Sequence, residues 1–229
     1  MPKFYSTAGN DALVYAIQKL HNNGIEFLPC PDETVTHVLL PVPSFDPDGN
    51  IKDSGSLEKL LQQLSGQVII IGGNLDRAEL ASYQNIDLMN DPMYVTQNAA
   101  ITAYCAIELA SVRLPVTWEH LPVLIIGWGR IGKCLAKLLM QLGADVTVAA
   151  RKESDRAILS ALQYTSVDIN QINTEKYRVI YNTVPAMVLP ISASGALKID
   201  LASRPGLGGS DILWARGLPG MYQVLNCHN

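Results

Sequence analysis

Long apolar runs, clusters of basic residues and paired cysteines are all missing from this sequence, and each absence removes a class of function. Its longest apolar stretches, such as Val68–Gly73 and Pro122–Gly127, fall far short of the ~20 residues that a membrane-spanning helix needs. Nor is Met1 followed by a basic region, an apolar region and a cleavage site in series, so the expectation is a cytoplasmic protein with no membrane partner. Lys and Arg number 17 against 21 Asp and Glu, giving a net charge of −4 with no basic tract, which argues against nucleic acid as a partner. The cysteines Cys30, Cys105, Cys134 and Cys227 form no C-x-x-C pair, and the histidines His21, His37, His120 and His228 stand equally apart. No zinc site or disulfide framework is expected, and Cys105 and Cys134, on apolar-patterned helices, read as buried free thiols. Hydrolysis lacks support too, because no Ser-His-Asp, Cys-His or H-E-x-x-H arrangement is present.

What is present is core material: 229 residues, 48% hydrophobic and 17% charged, enough for one large domain or two small ones. Near the N-terminus Leu13, Ile17 and Leu20 recur at helical spacing, with Asn10 or Asp11 as cap and Gly24 as stop. Strands are expected at Ile25–Leu28, Val35–Leu40 and Val68–Ile71, with helices near Leu57–Leu64 and Leu75–Ser82 between and after them. Thr96–Arg113, rich in alanine and free of breakers, reads as one long helix ahead of a second strand–helix–strand series. Alternation of this kind predicts an α/β protein with two lobes. We expect a smaller flavodoxin- or Rossmann-like N-terminal lobe at residues 1–95, on the substrate or partner side, then a connecting helix at 96–114. A Rossmann-type doubly wound parallel sheet follows at 115–229.

The chemistry concentrates in residues 122–151. Gly127, Gly129 and Gly132 spell G-x-G-x-x-G, preceded by a continuous apolar strand and followed by a helix with Ile131, Leu135, Leu138, Leu139 and Leu142 on one face. Gly143 stops that helix and Asp145–Ala150 supplies the second strand. In this context each glycine serves a separate purpose, with a tight turn at Gly127, close approach of backbone to a diphosphate at Gly129, and helix–strand packing at Gly132. Trp128, Arg130 and Ile131 complete the loop, whose helix N-terminus offers free N–H groups to phosphate. Dinucleotide binding is the reading, with a fold that has lost its ligand as the alternative.

An NAD site usually places a carboxylate at the end of the second strand, where this chain has Ala149-Ala150-Arg151-Lys152. Two cations there favour a 2′-phosphate and hence NADP, with NAD open as the alternative; a solvated strand end is the blander account of Arg151 and Lys152. Val179-Ile180-Tyr181 reads as a strand ending in Asn182-Thr183-Val184-Pro185. There Asn182 and Thr183 are candidates to bond the ribose or carboxamide, or else form a polar turn. Arg204, after the strand Ile199–Ala202, is a candidate to pair with a substrate carboxylate, or a surface ion-pair partner. Tyr5, His37, Asn98 and His120 also carry donors or titratable groups, and no catalytic acid or base stands out among them.

These residues resemble the A subunit of dipicolinate synthase. The shared pieces are Leu39-Leu40-Pro41-Val42, Gly127-Trp128-Gly129-Arg130-Ile131-Gly132, Val148-Ala149-Ala150-Arg151, Asn182-Thr183-Val184-Pro185, Asp200 to Gly206 and Gly217-Leu218-Pro219-Gly220. In layout the chain is also similar to the NAD(P)-binding domains of 2-hydroxyacid dehydrogenases and adenosylhomocysteine hydrolase. The resemblance implies an NADP-linked oxidoreductase subunit that works with a flavoprotein-like second subunit on a small dicarboxylic substrate. By that resemblance, 4-hydroxytetrahydrodipicolinate loses water to give a dihydropyridine, and hydride removal then yields dipicolinate, the calcium-binding acid of bacterial spores. Two other functions stay open: a nucleotide-binding partner or regulatory subunit without turnover of its own, and a dehydrogenase of another small acid. A homo-oligomer is the general expectation. In the family pattern a helix and a strand separate R-P-G-G from G-L-P-G, whereas Ser210–Arg216 is too short for a helical crossover plus a parallel strand. That pattern also runs on past Gly220 into a further segment and a closing helix, whereas Asn229 ends this sequence, so the edge of the site is expected to differ.

Overall fold

The structure, a computed structural model, describes residues 2–7, 11–189 and 195–221. Asn10, Cys227 and His228 lie outside the described residues. The chain divides into two compact units, the first built from the chain up to Thr96 and the second spanning Gln97–Pro219.

In the first unit the chain runs through β1 (Lys3–Ser6), α1 (Asp11–Asn22), β2 (Glu26–Leu28), β3 (His37–Leu39), α2 (Leu57–Leu61), β4 (Ile69–Gly72) and β5 (Gln84–Asp87). All neighbours pair in parallel in the order β2-β1-β3-β4-β5, the flavodoxin-like order. Val38 and Ile70, facing each other in register, anchor a core with Leu40, Ile51, Leu60 and Leu80. The helix expected near Leu75–Ser82 is a single 3-10 turn, Ala78–Leu80; Leu75 enters the core from the chain before it and Leu80 from its end. Two strands escape the hydrophobic pattern: β1 is half-buried throughout and β5 is an exposed edge with the sequence QNID. Thr7, just past β1, is 4% exposed, and its hydroxyl has no hydrogen-bond partner among the described residues.

Helix α3 (Pro92–Ser111) begins ahead of the expected Thr96. The Asp91 carboxylate accepts from the N–H groups of Met93 (2.8 Å) and Tyr94 (3.4 Å), and Pro92 occupies the first helical position, where its missing N–H costs nothing.

The second unit continues through β6 (Pro122–Ile126), α4 (Arg130–Gln141), β7 (Asp145–Ala150), α5 (Glu153–Ala161), β8 (Thr165–Asp168), β9 (Val179–Asn182), β10 (Leu197–Asp200), β11 (Ile212–Trp214) and the short α6 (Leu218–Met221). Its six parallel strands lie in the order β11-β10-β9-β6-β7-β8, the doubly wound Rossmann order. β6 is central, and Val123, Leu124, Ile125 and Ile126 are each 0% exposed; burying each of these contributes about 1.5–3 kcal/mol. Ile125, Tyr181 and Ile199 share one face in register, the face of α3 and α4, where the Tyr181 hydroxyl donates to the Ala106 carbonyl at 3.3 Å. Leu124, Ile180, Lys198 and Ile212 share the other. Three crossovers without a described α-helix cover this second face with Ile172, Val188 and Leu207.

Helix α4 buries Gly132, Leu135, Ala136 and Leu139, one stripe at helical spacing. Gly143, at φ +83°, ends it: its N–H bonds to Met140 O and that of Ala144 to Leu139 O, the paired bonds of a Schellman stop.

One expectation is corrected at the edge of the sheet. Ser210–Arg216 does hold a parallel strand, since Lys198, Ile199 and Asp200 of β10 pair with Ile212, Leu213 and Trp214 of β11. What is absent is the helix: residues 201–211 cross over as irregular chain, drawn across the sheet by bonds to Asp200. A parallel strand needs a crossover of sufficient length, which here begins at Leu201 rather than at Ser210.

Candidate cofactor-binding site

A sheet wound in this order leaves a crevice beyond the carboxyl ends of its strands where the order reverses, here between β6 and β9. A cleft of about 470 Å³ opens there, bordered by Gly127, Trp128 and Gly129 after β6, by Arg151 and Lys152 after β7, and by the stretch from Val184 after β9. The volume lies within the range of small-molecule sites.

The three glycines are explained by what a side chain would meet. Gly127 turns at φ +104°, and a Cβ on it would lie 2.5 Å from Thr183 Oγ1 and 2.9 Å from Val184 Cγ2. A Cβ on Gly132 would overlap the carbonyl oxygen of Gly127, so only glycine lets α4 start this close to the turn. At Gly129 the reason differs: among the described residues nothing beyond its own chain neighbours lies within 4 Å of a Cβ built there, and the residue borders the cleft. The space beside Gly129 is open, and a side chain there would extend into the cleft. Among the described residues no side chain caps α4, and none accepts from the N–H groups of its first turn, which suits an anion.

Trp128 meets two neighbours, edge-on to Tyr164 with ring centroids 5.5 Å apart and under Lys133 Nζ at 5.7 Å from its centroid. Arg130 opens α4 on the exposed surface, Ile131 is half-buried, and Pro185 is exposed beyond β9. Arg151 and Lys152 are both exposed at the rim of the cleft.

Asn182 and Thr183 face the protein rather than the cleft. Asn182 is 0% exposed; its amide nitrogen donates to Asp200 Oδ1 (2.8 Å) and Val184 O (3.0 Å), while its oxygen accepts from Val184 N (3.0 Å). Both donors are committed, so the ribose or carboxamide bond expected of Asn182 is replaced by a role in shaping the turn. The Thr183 hydroxyl donates to the carbonyl of Ile126 at 2.9 Å, tying β9 to β6 at the crevice. Asp200, also 0% exposed, accepts from the N–H groups of Ala202, Gly206 and Leu207 as well as from Asn182. Arg204 sits on the loop that Asp200 shapes, exposed and without an ion-pair partner among the described residues.

Of the other candidates, Tyr5 and His37 belong to adjacent strands of the first unit, where His37 stacks on Phe4 at 4.5 Å. Burial pushes the Tyr5 hydroxyl above its ordinary pKa, with Cys30 adding to the rise. His120 lies in the turn before β6, 3.6 Å from Asp145, with both side chains well exposed. Of the two cysteines read as buried, Cys105 is, and burial raises its thiol pKa, whereas Cys134 is half-buried.

Sequence reasoning missed Asp155. It borders the same cleft from the first turn of α5, one turn beyond the strand end where a ribose carboxylate is ordinarily sought. Its placement depends on Arg156, whose Nη1 donates to Ala150 O (2.8 Å) and Arg151 O (3.0 Å) and pairs with Asp168 at 2.9 Å. A carboxylate shortly after a basic pair, at the start of an amphipathic helix, was the available signal.

The Rossmann-ordered sheet, with its glycine turn and a cleft reaching the end of β7, is a fold shared with the D-lactate dehydrogenase of Salmonella (TM-score 0.55, 18% identity, 91% of this chain and 73% of that one). The particular likeness is to the A subunit of dipicolinate synthase. The Bacillus subtilis protein is 24% identical, over 83% of this chain and 73% of that protein, and the crystal structure of the Bacillus halodurans protein superposes with a TM-score of 0.80 at 22% identity, covering 97% of this chain and 92% of that one. No family model matches the chain. Among the described residues, no helix is long and apolar enough to cross a membrane.

Proposed function

We propose that this chain is a nicotinamide-nucleotide-dependent oxidoreductase subunit of the dipicolinate synthase type. The observation that carries the reading is the continuity of one cleft from the Gly127–Gly132 turn to the Arg151–Lys152 rim. The turn supplies backbone N–H groups and space for a diphosphate, and the two cations suit a 2′-phosphate, which supports NADP(H) over NAD(H). A nicotinamide held there would supply the hydride acceptor for oxidation of the substrate. The chain holds the nucleotide, fixes the ends of β9 and β10 through Asn182 and Asp200, and presents Arg204 for a substrate carboxylate. The substrate proposed is the dihydropyridine formed by loss of water from 4-hydroxytetrahydrodipicolinate, whose aromatisation drives hydride transfer. A flavoprotein-like second subunit is the proposed partner, and the cytoplasm the proposed location.

Fluorescence titration with NADPH and NADH tests the first step: saturable binding with NADPH preferred is expected, and binding of neither at millimolar concentration sinks the reading. Supplying the lysine-pathway intermediate with and without the candidate partner tests the second. Nucleotide binding with no turnover under either condition would make the chain a nucleotide-binding or regulatory subunit instead.

A further inference from the structure

The cleft wall beyond β7 carries charges of both signs. Arg151 and Lys152 stand at its rim, and the carboxylate of Asp155 borders the same space. Among the described residues Asp155 makes no side-chain hydrogen bond or ion pair, so its oxygens are open to whatever enters the cleft. Arg156, the nearest cation in sequence, is turned the other way and held by Asp168 and by the carbonyls of Ala150 and Arg151. That clasp pins the first turn of α5 to the ends of β7 and β8, and Asp155 is carried on the pinned turn. The carboxylate is thus placed before a ligand arrives.

We propose that Asp155 sets the cofactor preference of this site, accepting a ribose hydroxyl of NAD(H) and opposing the 2′-phosphate that Arg151 and Lys152 attract. The proposal rests on the cofactor reading above and deepens it. A ribose hydroxyl donates well to a carboxylate, and a charge-assisted bond of that kind is among the stronger ones. A 2′-phosphate brings negative charge to the same place, where Asp155 repels it and the two cations draw it in. A site with both elements takes either nucleotide, with a preference set by their balance. The residue that replaces the usual strand-end carboxylate has moved into the helix that follows.

Parallel NADH and NADPH titrations of the full chain and of Asp155→Asn test this, with thermal melts as the check on folding. The wild type is expected to bind both nucleotides. Asp155→Asn is expected to weaken NADH roughly ten- to hundredfold, the range for loss of a charged hydrogen bond, and to leave NADPH unchanged or tighter. Asp155→Ser carries the same expectation should the Asn variant melt early, and Arg151→Gln should show the reverse pattern, weakening NADPH more than NADH. Equal change for both nucleotides, or none, in a folded Asp155 variant overturns the proposal while the cofactor reading stands. Failure of the wild type to bind either nucleotide overturns both.

Discussion

Asn182 and Asp200, at the carboxyl ends of adjacent strands β9 and β10, are joined by a buried hydrogen bond of 2.8 Å from amide to carboxylate. Around that bond the two side chains organise two loops. Asn182 closes on Val184 by a donor and an acceptor, and Asp200 gathers the N–H groups of Ala202, Gly206 and Leu207. Gly206 fits beneath them only because it lacks a side chain, since a Cβ there would meet Ala186 O at 2.6 Å and Val184 O at 2.7 Å and overlap the Asn182 amide. The fully buried carboxylate has no cation among these partners; hydrogen bonds alone satisfy it.

Replacing Asp200 by Asn therefore sets an amide N–H₂ or a weaker oxygen against backbone N–H donors. We expect a loss of about 2–4 kcal/mol, within the range for buried donors left without acceptors. In a chain of this size that amounts to roughly 5–15 °C in melting temperature. Arg204→Gln, on the exposed loop, should leave the melt unchanged; similar losses for the two variants would show that the loop, not the carboxylate network, sets stability.

The glycine turn allows stability and binding to be separated. Gly132→Ala forces a methyl onto the Gly127 carbonyl and should cost about 1–3 kcal/mol with nucleotide absent, as overpacking does. Gly129→Ala meets no described residue beyond its own chain neighbours within 4 Å and sits at φ −81°, so its melt should match wild type to within about 0.5 kcal/mol. In the NADPH titration Gly129→Ala should nonetheless be weakened about tenfold or more, because the methyl extends into the cleft. Unchanged affinity in that variant would remove the diphosphate from the turn.

Much of the second unit was legible in the sequence. The run Pro122–Ile126 and the glycine turn are local patterns, and each forms the element expected of it; α4 forms too, but of its expected face only Leu135 and Leu139 are buried, with Gly132 and Ala136, while Leu142 is exposed. What escaped depends on partners distant along the chain. Asn182 read as a ligand contact because it is polar and ends a strand, yet its direction is set by Asp200, which no local pattern reveals. Asp155 went unnoticed because its place in the cleft follows from the Arg156–Asp168 pair rather than from its own spacing. Strand β11 is short and half-exposed, and the crossover leading to it is tied to Asp200, a partner that no local pattern reveals.

Helix α5 ends without a glycine. Gln163 takes φ +62° while its N–H bonds to Ser160 O and that of Tyr164 to Leu159 O, the same paired stop that Gly143 provides for α4. A side chain in the left-handed region costs about 1–2 kcal/mol, which glycine relieves at some expense in chain entropy. Gln163→Gly should raise stability by about 0.5–1 kcal/mol, read from urea midpoints at constant m. A lower midpoint would mean that the Gln163 side chain contributes more than its backbone conformation costs.

The pair Lys198–Asp211 links stability to pH. Lys198 lies on the irregularly covered face of β10, 1% exposed, and its ammonium meets the Asp211 carboxylate at 2.6 Å on the crossover to β11. The hydrogen bond from Lys198 holds the Asp211 carboxyl below the usual carboxylate range. A carboxyl with a depressed folded-state pKa adds stability that is fully present above its unfolded value, about 4, and is lost as pH falls through the depressed value. Asp211→Asn should therefore lower the melting temperature at pH 6–7, with the gap to wild type narrowing below about pH 4 as the wild-type carboxylate takes up its proton. Because Asp211 is itself largely exposed, the gap should be small compared with that of an Asp200 variant, and added salt should shrink it further. A gap that stays constant from pH 7 to pH 3 would mean that packing at residue 211, not its charge, carries the effect.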